Sequence, residues 1–216
     1  MSIFLVNHTS SGYLQRYTYP FAIVSLSAAA LVSTVSSQAA TYHLDSTHSN
    51  VRFAIDHFNT STNTGGFYNL TGQLEYDKAA KTGYIALTIP LNTLNTGNKA
   101  FDITLKSADF FDIEKFPLAH FESTQWHFST DKASSVKDNA SVSQVDGMLT
   151  LHGKINPITL TAIKFNCYFN PILKKSVCGG DFTTTIDRTK WGISKYTLLG
   201  MTEKVELNIQ IEAVKQ

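Results

Sequence analysis

After residue 40, apolar and polar residues alternate at every second position along almost the whole chain, which limits the fold to sheet that buries one face. The last run is the clearest: Val205, Leu207, Ile209, Ile211 and Ala213 alternate with Glu206, Asn208, Gln210 and Glu212. Val51, Phe53 and Ile55 likewise stand opposite Arg52 and Asp56. Tyr68, Leu70, Leu74 and Tyr76 line one side of a second run, and Ile85, Leu87, Ile89 and Leu91 line a third that Pro90 helps to end. Later runs hold Ala119, Phe121 and Ser123; Val145, Leu149 and Leu151; Leu160 and Ala162; and Phe182, Thr184 and Ile186. The pattern predicts about eight strands, mostly joined by short polar turns such as residues 77–83. Eight antiparallel strands with one apolar face each can close into a barrel whose interior holds side chains or one slender ligand. A two-sheet sandwich fits the same periodicity.

The alternation breaks between Lys99 and Phe116, the only region that reads as helix. There Leu105-Lys106-Ser107-Ala108-Asp109-Phe110-Phe111-Asp112 places two adjacent phenylalanines between aspartates. This order suits neither an open strand nor an amphipathic helix. It suits a short turn or helical cap that pushes both rings into one apolar opening, and Pro117 then starts a fresh extended run. Such a wedge closes a cavity, and closed apolar cavities take small apolar ligands.

Residues 1–39 read as a secretory signal peptide. Arg16 is the only charge before Asp45, an apolar run spans Phe21 to Val35, and Ser37-Gln38-Ala39 offers small residues for cleavage after Ala39. An internal start site or an uncleaved anchor are the alternatives. Residues 40–216 then form one domain with no further stretch of the ~18 apolar residues a spanning helix needs. The 18 Lys and Arg nearly cancel the 17 Asp and Glu, which disfavours nucleic-acid binding by phosphate neutralisation. Lys132 to Gln144 reads as a long Ser-rich hairpin loop. Cys167 and Cys178, an even pair in an exported chain, read as a disulfide closing a small loop tipped by Lys174-Lys175. The competing reading is a redox or metal-binding pair, whose usual spacings the ten-residue gap does not match.

The wedge, with Phe116-Pro117-Leu118-Ala119-His120-Phe121-Glu122-Ser123-Thr124 after it, closely resembles the signature of the YceI-like family. The resemblance continues in Asp45-Ser46-Thr47-His48-Ser49-Asn50-Val51-Arg52-Phe53 with His57, in Gly65-Gly66-Phe67 and Gly72, and in Asn95-Thr96-Gly97 with Asp102. It ends in Gly147-Met148-Leu149-Thr150-Leu151-His152-Gly153, Pro157-Ile158-Thr159-Leu160, and Ile186-Asp187-Arg188 with Trp191-Gly192-Ile193. Many relatives carry Phe at the Trp191 position. The resemblance implies an eight-stranded antiparallel lipocalin-like barrel with a short helical cap. It further implies an exported, non-enzymatic protein, placed by its leader in the periplasm of a Gram-negative cell, that holds a polyisoprenoid lipid. The lipid would be an isoprenoid quinone or polyprenyl carrier threaded into the lumen for transport or storage, and no cofactor is expected. A homodimer and transient membrane contact are compatible with this reading, though no residue demands either.

Fourteen phenylalanines against three methionines give the inward faces unusual aromatic bulk. Singly, residues such as Phe182 read as ordinary core packing. Together, the expected lumen wall is Val51, Phe53, Ile55, Leu87, Phe110, Phe111, Phe121, Leu149, Leu151, Leu207 and Ile209. Removing ~500 Å² of hydrocarbon from water yields a gross ~12 kcal/mol before association costs, so burial alone can drive binding.

Polar chemistry is sparse. His43, His48, His57, His120, His127 and His152 show no ligand spacing for a metal, so no metal site is expected. His48 and His152 read as rim residues bonding nearby loops or, with Arg188, as contacts for a ligand's polar head. Asp187-Arg188 also reads as a turn-stabilising ion pair or backbone anchor. Asp45, His48 and Ser49 lack the surroundings of a nucleophilic triad, and Gly65-Gly66 precedes no phosphate-binding helix. Two rivals remain: a periplasmic metal or redox accessory protein using the histidines and the Cys167–Cys178 pair, and a ligand-free interaction module with a filled core.

Overall fold

A computed structural model describes residues 39–129 and 141–216, together with Gly12. The rest of the leader and residues 130–140, which include residues 132–140 of the expected hairpin loop, lie outside the described residues. The strands are β1 (Ala40–Leu44), β2 (Asn50–His57), β3 (Ser61–Phe67), β4 (Thr71–Asp77), β5 (Thr82–Pro90), β6 (Leu118–Ser129), β7 (Ser141–Leu151), β8 (Lys154–Asn170), β9 (Lys175–Asp187) and β10 (Lys204–Lys215). Among the described residues one α-helix, α1 (Lys99–Lys106), lies between β5 and β6, inside the one region where helix is expected.

All pairings are antiparallel, and β1-β4-β5-β6-β7-β8-β9-β10 closes into an eight-stranded ring through the pairing of β10 with β1. β1 and β2 lie end to end along the same edge of β10, Tyr42 opposite Lys215 and Val51 opposite Ile209. Residues 45–49 separate them, and Ser49 bridges the gap: its hydroxyl donates to the Glu212 carbonyl at 3.2 Å and accepts the Glu212 N–H at 3.1 Å. β3 extends the wall from β2 and meets the segment after β5 at one bridge, Gly66 with Asn95.

Strand parity sends the apolar residues inward in register. Leu87, Phe121 and Leu149 sit side by side across β5, β6 and β7, as Phe182, Ile209 and Val51 do across β9, β10 and β2. Gly147 makes room for this packing, because a Cβ there would lie 2.4 Å from the Phe121 ring and 2.6 Å from the Glu122 carbonyl oxygen. At the end remote from α1 the rings of Tyr76, Trp126, Phe165 and Phe182 close a floor, with neighbouring centroids 5.0–6.4 Å apart.

Several expectations need correction. β1 and β3 are additional strands; β3 reads Ser-Thr-Asn-Thr-Gly-Gly-Phe and offers no apolar alternation to detect. Tyr68 and Leu70 precede β4 rather than belonging to it, and Leu91 begins a 3-10 turn after β5. The last four residues of the expected loop, Ser141 to Gln144, are strand. Bulges between Ser123 and Gln125 and between Ala162 and Lys164 reverse strand parity, which brings Trp126 and Phe165 inward. Cys167 and Cys178 face each other directly across β8 and β9 and form the expected disulfide.

The first bulge leaves buried donors, and Ser123 satisfies them by accepting the Ile85 N–H at 2.9 Å and the Trp126 indole N–H at 3.2 Å. Ser123→Ala should therefore cost about 1–3 kcal/mol in chemical denaturation, well above the cost of losing one exposed hydroxyl.

Candidate functional site

The half of the lumen nearest α1 is hollow, a cavity of about 210 Å³. β2 contributes Val51, Phe53 and Ile55 to its wall, β5 and β6 contribute Leu87 and Phe121, and β7 contributes Leu149 and Leu151. β10 adds Leu207 and Ile209, and the wedge adds Phe110 and Phe111. The structure thus brings all eleven of the apolar residues singled out in the sequence around one space. A smaller void of about 20 Å³ shares Leu87, Phe121, Leu160 and Ile209 with the first and continues to Trp126 and Phe165 in the floor.

Local interactions hold the helical cap over the mouth. Asn98 caps α1 by accepting the Ala100 and Phe101 N–H groups through Oδ1, at 3.0 and 3.2 Å. Asp102 accepts the Thr96 N–H and hydroxyl at 2.8 and 2.7 Å, and the Thr96 hydroxyl bond holds its carboxyl below the ordinary carboxylate value. After α1 the chain turns tightly, with the Phe111 N–H bonded to the Leu105 carbonyl at 3.0 Å and the Asp112 N–H to Ser107 at 2.9 Å. This turn directs Phe110 and Phe111 inward, and Phe111 meets the Phe67 ring edge-on at 5.3 Å. Across the mouth, Phe110 lies 6.1 Å from the Tyr196 ring, and Lys195 bonds Asp109 at 2.9 Å.

Arg188 is the one lining residue with a permanent charge, and none of the described lining residues is Asp or Glu. It is 4% exposed. Nε donates to the Thr202 carbonyl, and Nη1 donates to the carbonyls of Ile193 and Lys195, at 2.8–3.0 Å. Burial draws the guanidinium below its ordinary pKa, partly offset by Glu203 and Asp187, but arginine stays protonated in proteins. Arg188 is therefore the backbone anchor expected of it, gathering the loop between β9 and β10. No ion pair with Asp187 forms: that carboxylate accepts the Thr189 N–H and hydroxyl and lies 3.6 Å from Lys204.

The two histidines expected near a head group do not line the cavity. His48 is exposed in the break between β1 and β2 and bonds Asp45 at 2.8 Å, which raises the imidazole pKa and lowers that of the carboxyl. His152, in the turn between β7 and β8, bonds the Trp191 carbonyl through Nδ1 at 3.1 Å and packs on Phe116. With Ser49 committed to the Glu212 backbone, Asp45, His48 and Ser49 make no nucleophile and base pair. Among the described residues, no three of His, Cys, Asp and Glu gather as a metal site.

The sequence reading missed part of the wall. Phe101, Thr104 and Leu105 share one face of α1 at positions i, i+3 and i+4, a spacing that could have revealed them. Ile193, Tyr196 and Met201 come from the irregular connection between β9 and β10, where no periodicity exists to read.

The sequence pattern of the YceI-like domain matches residues 42–213, the extent of the barrel. The chain belongs to the YceI-like family. Protein YceI of Salmonella newport is 32% identical over 193 residues, covering 88% of this chain and 94% of that one. The crystal structure of a Campylobacter jejuni YceI protein superposes with a TM-score of 0.62 at 23% identity, covering 75% and 90% of the two chains. A polyisoprenoid binding domain from Saccharophagus degradans, implicated in plant cell wall breakdown, superposes at 0.55 and 15% identity, covering 83% and 100%. At these identities the structural likenesses speak for the fold alone, the YceI-like barrel.

A side chain that borders a void loses fewer contacts on truncation than one packed all round. In the ligand-free protein, Phe121→Ala should cost less than the ~3–5 kcal/mol of a filled core, because the ring already borders the cavity. Denaturant unfolding of wild type and variant measures the difference.

Proposed function

We propose that this protein is an exported, non-enzymatic carrier that holds one polyisoprenoid chain in its barrel lumen, for transport or storage. The observation that carries the reading is the hydrocarbon-lined cavity of about 210 Å³ beneath the Phe110-Phe111 wedge. Membership of the YceI-like family supports it, as does the fold shared with the polyisoprenoid binding domain of Saccharophagus degradans. Export is supported by the apolar run before Ala39 and by the Cys167–Cys178 disulfide, which favours an oxidising compartment such as the periplasm.

The physical case is burial without specific polar contacts. An apolar chain entering the lumen gains the transfer free energy of its own surface and fills space that already lacks partner atoms. The cavity is only somewhat larger than the ~150 Å³ that admits benzene in an engineered core. A long chain therefore widens the lumen toward the smaller void or trails out of the mouth. Leu198 and Leu199 at that mouth are 100% and 72% exposed, and Gly200, which follows them, lies against Phe58. Their exposure supports transient contact with a membrane, where such lipids reside.

Native mass spectrometry of the purified exported protein, followed by organic extraction, tests the reading. The expected result is a one-to-one complex with an isoprenoid. With added prenols, affinity should rise steeply with each isoprene unit until the lumen is full, then level off. A bare protein mass with no uptake of prenols, or a stoichiometric metal adduct, contradicts the carrier function.

A further inference from the structure

Arg188 carries more hydrogen-bonding capacity than its anchoring role uses. Three backbone carbonyls occupy Nε and Nη1, but Nη2 is buried and has no hydrogen-bond partner among the described residues. Among the described residues no carboxylate forms an ion pair with the guanidinium. Asp187, its chain neighbour, is committed to Thr189 and Lys204. A buried cation with two unspent N–H groups, on a wall whose other polar side chains include His57, Asn63 and Thr104 and which carries no carboxylate among the described residues, is costly to fold unless something acidic completes it.

We propose that the lumen selects amphiphiles whose apolar chain ends in an acidic oxygen head, a phosphate or a carboxylate, with Arg188 Nη2 as the anchor. The proposal rests on the lumen reading above and narrows it: a neutral quinone or alcohol head is the weaker ligand. Position agrees with this role. Arg188 follows β9 at the mouth, and Ile193, Tyr196 and Met201 from the loop it gathers line the same wall. A head held there points its chain toward the floor of Trp126 and Phe165. Nη2 is covered in the ligand-free state, so the head must displace a flexible neighbour. Tyr196, 44% exposed, and the unbranched Met201 are suited to that movement. An anionic oxygen beside a desolvated guanidinium makes the stronger, charge-assisted class of hydrogen bond.

Chain-matched probes test the head group without altering the protein. The full folded chain is titrated by calorimetry with farnesol, farnesyl monophosphate and farnesoic acid below their aggregation limits. At least one acidic probe should bind about tenfold or more tighter than the alcohol, and the phosphate and carboxylate arms identify which anion is preferred. Arg188→Gln should bring that ratio near one, whatever loosening of the loop it gathers does to the affinity for all three probes. If this variant fails to fold, the wild-type ratio decides alone. Equal binding of all three probes overturns the proposal and leaves the carrier reading standing. Binding of none overturns both.

Discussion

Closure of the ring by β10 pairing with β1 is the constraint on which the rest of the structure depends. A closed eight-stranded ring has a fixed interior, and strand pleating commits every second side chain to it. Those side chains either fill the space or leave it open. Toward the floor, Tyr76, Trp126, Phe165 and Phe182 fill it. Beneath α1 they do not: Phe53, Phe67, Phe101 and Phe121 stand round the wall with Val, Ile and Leu and leave a space of about 210 Å³ between them.

The mouth is built on different principles from the wall. Sheet hydrogen bonding ends there, and separate devices replace it: the Asn98 cap, the Thr96–Asp102 clamp, the Lys195–Asp109 bridge and the three carbonyls on Arg188. Each fixes a segment that would otherwise be free to close over or fall into the lumen. Arg188 links the two parts, since it anchors the loop of the mouth and also faces the hydrocarbon wall. A lysine could not gather three carbonyls from one planar fork in this way.

Most of the wall was legible in the sequence because parity is a strict geometric rule wherever strands are regular. Val51, Phe53 and Ile55, or Leu207 and Ile209, could hardly face elsewhere once one face had to be buried. Legibility failed where the rule lapses. β3 lacks apolar residues, and the bulges after Ser123 and Ala162 shift parity by one, so Trp126 and Phe165 join the floor unannounced. The mouth residues Tyr196 and Met201 sit in irregular chain placed by tertiary contacts alone. Of the two readings of His48 and His152, bonding to nearby chain matches the structure: Asp45 and the Trp191 carbonyl hold them, and neither lines the cavity.

A crystal structure of the protein carrying the lipid with which it is purified tests the central claim most directly. The account predicts continuous density for one chain inside the ring, running from beside Arg188 beneath Phe110 and Phe111 toward Trp126. A lipid bound outside the ring, or a lumen closed by collapsed side chains, would contradict it.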